Sequence, residues 1–196
     1  AKRHTDVDDL NRRARRHVAD AGQLHGDPLA VNERPFQIGD HVLCTCNDYS
    51  NAIRNGTTGE IVDIDHRHRS MTIATDTGER KLSARYLDDG HLRHGYAITV
   101  HKAQGRTCDH GLLLASDDLY REMGYVGLSR GRQSNRMYAV SDEPVDELEH
   151  HGAPRDQRAD PLDIVIESMH RSAAKELAID QADVSAGVDD DLDLGW

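Results

Sequence analysis

The spacing of hydrophobic and polar residues changes along the chain, and each pattern predicts a different kind of element. Residues 1–25 carry apolar side chains at helical intervals, which predicts an amphipathic helix. These apolar positions are Val7, Leu10, Ala14 and Val18. Thr5 is placed to cap the first turn, and Gly22 is placed to end the helix. The arginines at 12–16 are more typical of a solvated helix face than of a phosphate-binding surface.

Short alternating segments separated by turns follow from residue 33 to residue 90, and they predict a small β-barrel. The expected turn-and-strand segments cover residues 38–44, 56–64, 70–75 and 79–86. Asn55-Gly56 and Asp76-Thr77-Gly78 supply turns, because glycine adopts positive φ without a side-chain clash. Residues 66–69 are expected at an exposed hairpin tip.

A different pattern occupies residues 95–140, where apolar runs alternate with dense polar loops. Residues 96–98 predict a short strand, and residues 112–115 form an apolar run typical of a buried parallel strand. Residues 125–130 predict a helical stretch, followed by a last strand at 136–140. The polar loops between these elements are therefore expected at strand ends.

The last part of the chain is poorer in apolar residues. Residues 141–160 contain few apolar side chains and two prolines, which indicates a linker. Asp160-Pro161 predicts the start of a helix. Its apolar positions are Ile164, Val165, Met169, Ala173 and Leu177. Residues 184–196, with three consecutive aspartates, are expected to be a disordered acidic tail.

Charge is distributed unevenly between these parts. The chain of 196 residues has a formal net charge of −11. Residues 141–196 hold 16 acidic and 4 basic side chains, a net of −12, so residues 1–140 hold 19 acids and 20 bases, a net of +1. The acidic total therefore does not exclude phosphate binding by local basic groups in the body of the protein.

Cysteine and histidine usage bear on compartment and metal binding. The three cysteines are an odd number, and Cys44 and Cys46 are too close in sequence for easy pairing. Reduced thiols in a cytoplasmic setting are expected, with no apolar run long enough to span a bilayer. Despite 13 histidines, neither Cys-x-x-Cys nor His-Glu-x-x-His occurs, so no metal site is expected.

Two polar motifs carry the candidate chemistry. Thr-Val-His-Lys-Ala-Gln-Gly spans residues 99–105, and Gly-Leu-Ser-Arg-Gly-Arg spans residues 127–132. The structural alternative is that His101 and Gln104 cap a turn while Arg130 pairs with a surface carboxylate. Two motifs in a fixed order are far more specific than one short match.

At these residues the sequence resembles a family. The stretches YAITVHKAQG and YVGLSRGR resemble the fifth and sixth motifs of superfamily 1 DNA helicases, in the RecD-like and conjugative relaxase-helicase (TraA/TrwC-like) branch. The resemblance implies an α/β fold, namely a partial second RecA-like motor domain formed by residues 1–32 and 91–141. Residues 142–196 would then be a linker, a helix and an acidic tail.

The resemblance also implies roles for individual residues. Arg130 would be the arginine finger that reaches ATP held by a partner domain, with Gln104 and Gly105 coupling the nucleotide to DNA. Arg3, Lys102 and Arg132 are the candidate nucleotide-binding residues. Thr99, His101 and Lys102 are the candidates for single-stranded DNA. The Arg106-Thr107-Cys108-Asp109 continuation is closer to the relaxase-helicase branch than to the repair branch.

Residues 33–90 resemble the SH3-like insertion of RecD-like helicases, through the patterns F-x-x-G-D-x-V and N-G-x-x-G-x-V. The first long loop of this segment is a second candidate for single-stranded DNA. Tyr49 would stack on a base, and Arg54 and Asn55 would contact the strand. Ordinary turn chemistry for Asn55 and barrel filling by Tyr49 are the alternative.

The resemblance covers only the second RecA-like domain of a helicase motor. The phosphate-binding pattern G-x-x-x-x-G-K-[ST] and a hydrophobic strand ending in Asp-Glu are both absent from the 196 residues. ATP and Mg²⁺ are therefore expected to bind the full-length motor and not this chain alone, with a separate first RecA-like domain as partner. A passive single-strand-binding or protein-interaction module and a subunit of an exonuclease complex are the alternative functions.

Overall fold

The computed structural model describes residues 1–140 and 160–172. Five helices and nine strands occur in these ranges. In chain order they are α1 His4–Asp20, β1 His25–Val31, β2 Arg34–Ile38, β3 His41–Cys44, β4 Thr58–Asp65, β5 Ser70–Thr75, β6 Gly78–Leu82, α2 Ala84–Asp88, β7 Leu92–His94, α3 Val100–Ala103, β8 Cys108–Ala115, α4 Arg121–Leu128, β9 Gly131–Ala139 and α5 Pro161–His170. The predicted linker and acidic tail lie outside the described residues.

Strands β1 to β7 form one unit, called the β-module below and spanning residues 25–94. Strands β6, β5, β4, β3 and β7 pair antiparallel in that order, and β1 pairs antiparallel with β2. Both sheets contribute to one core, in which Phe36, Ile61 and Ile73 are fully buried. The short strands predicted over 38–44, 56–64 and 70–75 are thus present as β3, β4 and β5, while the small β-barrel stays a prediction.

A second unit consists of residues 95–140 and 160–172, and it is called the motor segment below after the resemblance that its two motifs carry. Its strands β8 and β9 are parallel, with Leu113 opposite Met137. Helices α4 and α5 cover one face of this pair, where Leu113, Met123 and Val165 are buried. The fold is thus mixed α/β, as predicted, with a parallel sheet confined to the motor segment.

Helix α1 connects the two units through polar contacts. The side chain of Asn11 is buried, donates to the carbonyl of Ala97 at 3.0 Å and accepts from the amide of Ala97 at 3.0 Å. Arg15 donates to Asp40 at 3.1 Å, and the Tyr96 hydroxyl donates to the same carboxylate at 2.7 Å. The segment that leads into the first motif is therefore fixed by both α1 and the β-module.

Several sequence-based predictions of element boundaries were wrong. Helix α1 begins at His4 with Arg3 as its N-cap, so Thr5 lies inside the helix rather than at its cap. Residues 96–98 are irregular instead of a strand, because their backbone hydrogen bonds to Asn11. The strand expected over 79–86 ends at Leu82, where the Ser83 hydroxyl accepts from the amide of Tyr86 and begins α2.

Other predictions agree with the structure. Gly22 has a positive φ immediately after α1, and Gly78 has a positive φ of 106° after the predicted Asp76-Thr77 turn. Residues 66–69 form an exposed turn between β4 and β5. Helix α5 begins at Pro161, with Asp160 accepting from the amide of Leu162. In the described ranges, no helix has the length and apolarity that crossing a bilayer requires.

Candidate nucleic-acid interface and arginine site

The first motif is a short helix rather than a loop. The Thr99 hydroxyl accepts from the amide of Lys102 at 3.4 Å and caps α3, and Thr99 is buried. His101 and Gln104 are exposed. Gly105 has a φ of +78°, and a Cβ there would have open space around it. Glycine is therefore required by the backbone angle, which turns the chain from α3 toward β8.

Lys102 brings this motif to the β-module. Its ammonium group donates to the Asn55 side chain at 3.4 Å, across 47 positions of sequence. Burial lowers the pKa of Lys102, and the cations Arg93 and Arg106 lower it further. Among the described residues, no acidic side chain forms an ion pair with these three cations. A lysine with two cationic neighbours is a favourable environment for a phosphate oxygen.

Arg106 makes a second connection between the two units. Its guanidinium group donates to the Thr58 hydroxyl at 3.1 Å and to the carbonyl of Gly56. Gly56 has a φ of +96°, so the Asn-Gly turn predicted from sequence places its carbonyl where Arg106 reaches it. The motor segment therefore holds the base of the β-module's long loop.

That loop, residues 47–57, is braced internally and is called the DNA loop below, because the sequence made it a candidate for single-stranded DNA. Asp48 accepts from the amides of Ser50 and Asn51 and caps a single 3-10 turn, Tyr49–Asn51. The Asn47 side chain accepts from the amide of Asn55 at 2.7 Å and donates to the Tyr49 hydroxyl at 3.2 Å. Tyr49 is 80% exposed, so it does not fill a barrel. An exposed aromatic ring on a fixed loop is suited to stacking.

Arg130 follows α4 and lies beside the end of the first motif. It donates to the carbonyl of Val126 at 2.8 Å, to the Ser129 hydroxyl at 2.7 Å and to the carbonyl of Arg106 at 3.3 Å. These bonds use three of its five N–H groups. It forms no ion pair with a described residue, which differs from the alternative that it pairs with a surface carboxylate.

The glycines of the second motif allow close packing around Arg130. A Cβ at Gly127 would lie 2.9 Å from the Leu113 side chain, and one at Gly131 would lie 2.7 Å from the amide nitrogen of Gly111. Cys108 donates its amide to the carbonyl of Arg130 at 3.0 Å. The Arg130 backbone is therefore held at the amino ends of β8 and β9.

One cleft, with a volume of about 1530 Å³, is lined by Tyr49, Asn55, Arg106 and Arg130, whereas Lys102 lines a separate cleft with Arg93. The apolar wall of the first cleft includes Ile53, Ile98 and Leu112. Its charged lining comprises the side chains of Arg54, Arg80, Arg106, Arg130, Arg132 and the single carboxylate Asp76. On a chain with a net charge of −11, this is a strongly basic local surface.

Not every predicted site residue lies here. Arg3 donates to Asp117 at 3.0 Å and to Asp118 at 3.2 Å, beyond the carboxyl end of β8. The two ends of an eight-residue strand are about 23 Å apart, and Arg130 lies beside the amino end. The structure therefore separates Arg3 from Arg130. Arg132 is on β9, 69% exposed at the side chain, and lies 3.7 Å from Asp109.

Burial raises the pKa of Asp118, but hydrogen bonding from Ser116 and the charges of Lys2 and Arg3 outweigh it and leave that pKa below its usual value. This carboxylate is thus stably charged beside Arg3. In the described residues, no group of histidine, cysteine and carboxylate side chains has the arrangement of a metal site.

Sequence reasoning missed Arg93, Arg106, Asn47 and Asn11. Arg106 directly follows the first motif, and Asn11 is a polar residue between the apolar positions of α1, so both had a weak local signal. Arg93 had none, because its relevance depends on how the β-module folds against the motor segment, while the contacts of Asn47 lie within the DNA loop itself.

The sequence of this chain is similar to parts of several known proteins. No protein-family model matches the chain. It is 32% identical over 136 residues to conjugal transfer protein TraA of Rhizobium radiobacter, a match that covers 68% of this chain and 12% of TraA. It is 31% identical over 141 residues to RecBCD enzyme subunit RecD of Mycolicibacterium smegmatis, covering 70% of this chain and 23% of RecD.

A solved structure of Pif1 helicase from Bacteroides, in complex with ADP-AlF3 and single-stranded DNA, has a TM-score of 0.48 and 19% identity, covering 72% of this chain and 39% of that one. The fold is a mixed α/β segment that carries the two motifs, with a β-module attached. The chain is homologous to segments of the conjugal transfer protein TraA and of RecD helicases. It spans only a small part of the length of these relatives.

Proposed function

We propose that this chain is the part of an ATP-dependent DNA helicase that holds single-stranded DNA and lends Arg130 to a nucleotide bound by another RecA-like domain. The contact between Lys102 and Asn55 is the observation that carries the proposal. It joins the two segments that were selected from the sequence as DNA candidates, and the Asn55 end of this contact lines the basic cleft.

The DNA part of the proposal rests on charge and exposure. Lys102 has one long hydrogen bond and two cationic neighbours, so a phosphodiester oxygen would relieve the repulsion among them. Tyr49 offers a stacking face, and Arg54 and Asn55 adjoin it on the same loop. Thr99 acts through the cap of α3, while His101 is exposed at the surface of that helix.

The nucleotide part rests on Arg130. Two of its N–H groups are available to a phosphate oxygen, and its backbone is fixed between β8 and β9. ATP and Mg²⁺ would supply the reaction that drives the motor, and the residues that hold them would come from the other domain. Gln104, Gly105, Lys102 and Arg132 are proposed to adjoin that nucleotide; the contacts of Arg3 do not support such a role.

The boundaries of the parts also belong to this proposal. Residues 1–32 and 91–141 would be the RecA-like part, and residues 33–90 would be an SH3-like module. The hairpin β1–β2 begins at His25, and its Leu29 and Val31 pack into the β-module core. These contacts support a start of the module before residue 33.

Single-strand binding can be tested on this chain with a fluorescent oligo-dT. Lys102→Ala is expected to weaken binding about tenfold and to reduce the slope of log affinity against log salt by about 0.7, the value for one lost phosphate contact. Arg85→Ala, which removes an exposed charge on α2, is the control and should leave affinity unchanged. Absence of salt-dependent binding by the unmodified chain would refute the DNA part.

The arginine role needs the complete motor, that is, this sequence together with its first RecA-like domain. Arg130→Ala is expected to lower DNA-stimulated ATP hydrolysis by about a thousandfold, the lower range for an arginine finger. Arg130→Lys should rescue little of it, because lysine is a single point charge without the planar fork. Full hydrolysis in Arg130→Ala, with DNA binding retained, would instead indicate a passive single-strand-binding module.

A further inference from the structure

We propose that Arg106 is a positioning residue: it fixes the DNA loop against the motor segment and connects that loop to Arg130. The inference rests on the proposed function, because it concerns how the two halves of that site are joined. It goes further by assigning a role to a residue that lies outside both motifs.

The contacts of Arg106 form a continuous path. Its guanidinium group donates to Gly56 and Thr58 at the base of the DNA loop. Its own carbonyl accepts from the guanidinium group of Arg130 at 3.3 Å. One residue therefore touches the loop with its side chain and the candidate finger with its backbone. A shift of Arg130 displaces the peptide from which the Arg106 side chain extends.

At the DNA loop, this path ends in residues that are held by several hydrogen bonds. The amide of Gly56 donates to the carbonyl of Cys44 at 2.8 Å, and the carbonyl of Thr57 accepts from the amide of Cys44 at 2.8 Å. Asn47 holds Asn55 from the other side. A displacement at Gly56 is thereby passed to Asn55, the partner of Lys102, rather than absorbed by a loose turn.

Arg106 differs from a phosphate ligand in how its donors are used. It is half-buried, and both terminal nitrogens already donate to loop oxygens. Lysine at this position would keep the charge but lose the two-point contact. Substitution by lysine therefore distinguishes two roles. A positioning role needs the planar guanidinium group, whereas a direct phosphate contact needs only the positive charge.

The test uses this chain, labelled oligo-dT and three variants. Arg106→Ala and Arg106→Lys are both expected to weaken binding about five- to tenfold, which corresponds to the net contribution of about one hydrogen bond. The salt slope should stay as in the unmodified chain, and Arg85→Ala should change neither quantity. Hydrogen exchange of the amides in residues 47–57 should accelerate in both Arg106 variants.

Other results would overturn the inference. Wild-type affinity in Arg106→Lys, together with a salt slope reduced by about 0.7 in Arg106→Ala, would make Arg106 a direct phosphate ligand. Unchanged exchange in residues 47–57 would show that Arg106 does not hold the loop. If the unmodified chain binds no DNA, the proposed function fails, but the exchange experiment still decides whether Arg106 positions the loop.

Discussion

The β-module and the motor segment bury their hydrophobic residues in different ways. The β-module surrounds a single core with antiparallel strands, and Val42, Ile53 and Leu82 are fully buried there. The motor segment covers only one face of a two-stranded parallel sheet. On its other face Leu112 is 68% and Tyr138 is 52% exposed.

This difference indicates which unit stabilises the other. Parallel sheets are normally covered on both faces, and a two-stranded sheet is marginal alone. The motor segment is therefore expected to depend on its contacts with α1 and with the β-module. The β-module is expected to contribute most of the cooperative stability of the chain.

The largest effect should come from the β-module core. Phe36 is fully buried and lies 4.4 Å, between ring centroids, from His94. Phe36→Ala is expected to lower the free energy of unfolding by about 3–5 kcal/mol, because it removes transfer energy and leaves a cavity. Urea denaturation followed by circular dichroism measures this. If Phe36→Ala lowers the free energy of unfolding by less than Val165→Ala in the motor segment, the β-module does not contribute most of the stability.

The junction between the units is the next target. Asp40 is fully buried and accepts from Arg15, from the amide of Gln37 and from the Tyr96 hydroxyl. Asp40→Ala should cost about 3 kcal/mol, since it leaves a largely buried guanidinium group without its partner. The double variant with Arg15→Met should recover part of this loss in the same denaturation experiment. If the double variant recovers no stability, the unpaired Arg15 is not the cause of the loss in Asp40→Ala.

Within the motor segment, two glycines form a matched pair. A Cβ at Gly131 would meet backbone atoms of Ser134 and Gly111, whereas one at Gly124 would meet the flexible end of Met169. Gly131→Ala is therefore expected to destabilise the chain by about 1–3 kcal/mol, and Gly124→Ala by less. Thermal unfolding of the two variants tests the order. Equal effects would show that the β8–β9 pairing adjusts freely.

Much of this architecture was accessible from the sequence, and the failures have common physical causes. Alternation predicted β4 and β5, and the apolar run at 112–115 predicted a parallel strand, because these are local patterns. The same run did not predict that Leu112 is exposed, since burial depends on what covers the sheet. The prediction of a strand at residues 96–98 failed because their hydrogen-bond partner, Asn11, is distant in sequence and gives no local signal.

In the candidate site, too, local motifs could be predicted from the sequence and contacts between distant segments could not. The motif residues Lys102 and Arg130 were identifiable, because specific residue types recur at fixed spacing. Their connection through Arg106 was not, since it requires the Asn-Gly turn of one unit to meet the other. Thr99 illustrates a further limit: a polar motif residue proved to be a buried helix cap.

Alkaline pH offers a smaller probe of the β-module core. Burial raises the pKa of Cys44 from 9.0 to about 11. The unfolded thiol therefore loses its proton between these values while the folded thiol retains it, so stability that is complete below pH 9 declines as pH rises. The loss should reach about 1 kcal/mol near pH 10. Cys44→Ala should show a shallower pH dependence, and an identical slope would exclude this thiol as the source.

The smallest effect is expected at the uncovered face of the motor segment, where neighbouring leucines in β8 give an internal control. Leu113 is 3% exposed in the core with Val165, whereas Leu112 is 68% exposed. Leu112→Ala should change the free energy of unfolding by no more than about 0.5 kcal/mol, and Leu113→Ala should cost about 2–5 kcal/mol. Denaturation of both variants at low protein concentration makes the comparison. A cost at Leu112 close to that at Leu113 would mean that this face is covered in the isolated chain, and the contrast between the two units would then be lost.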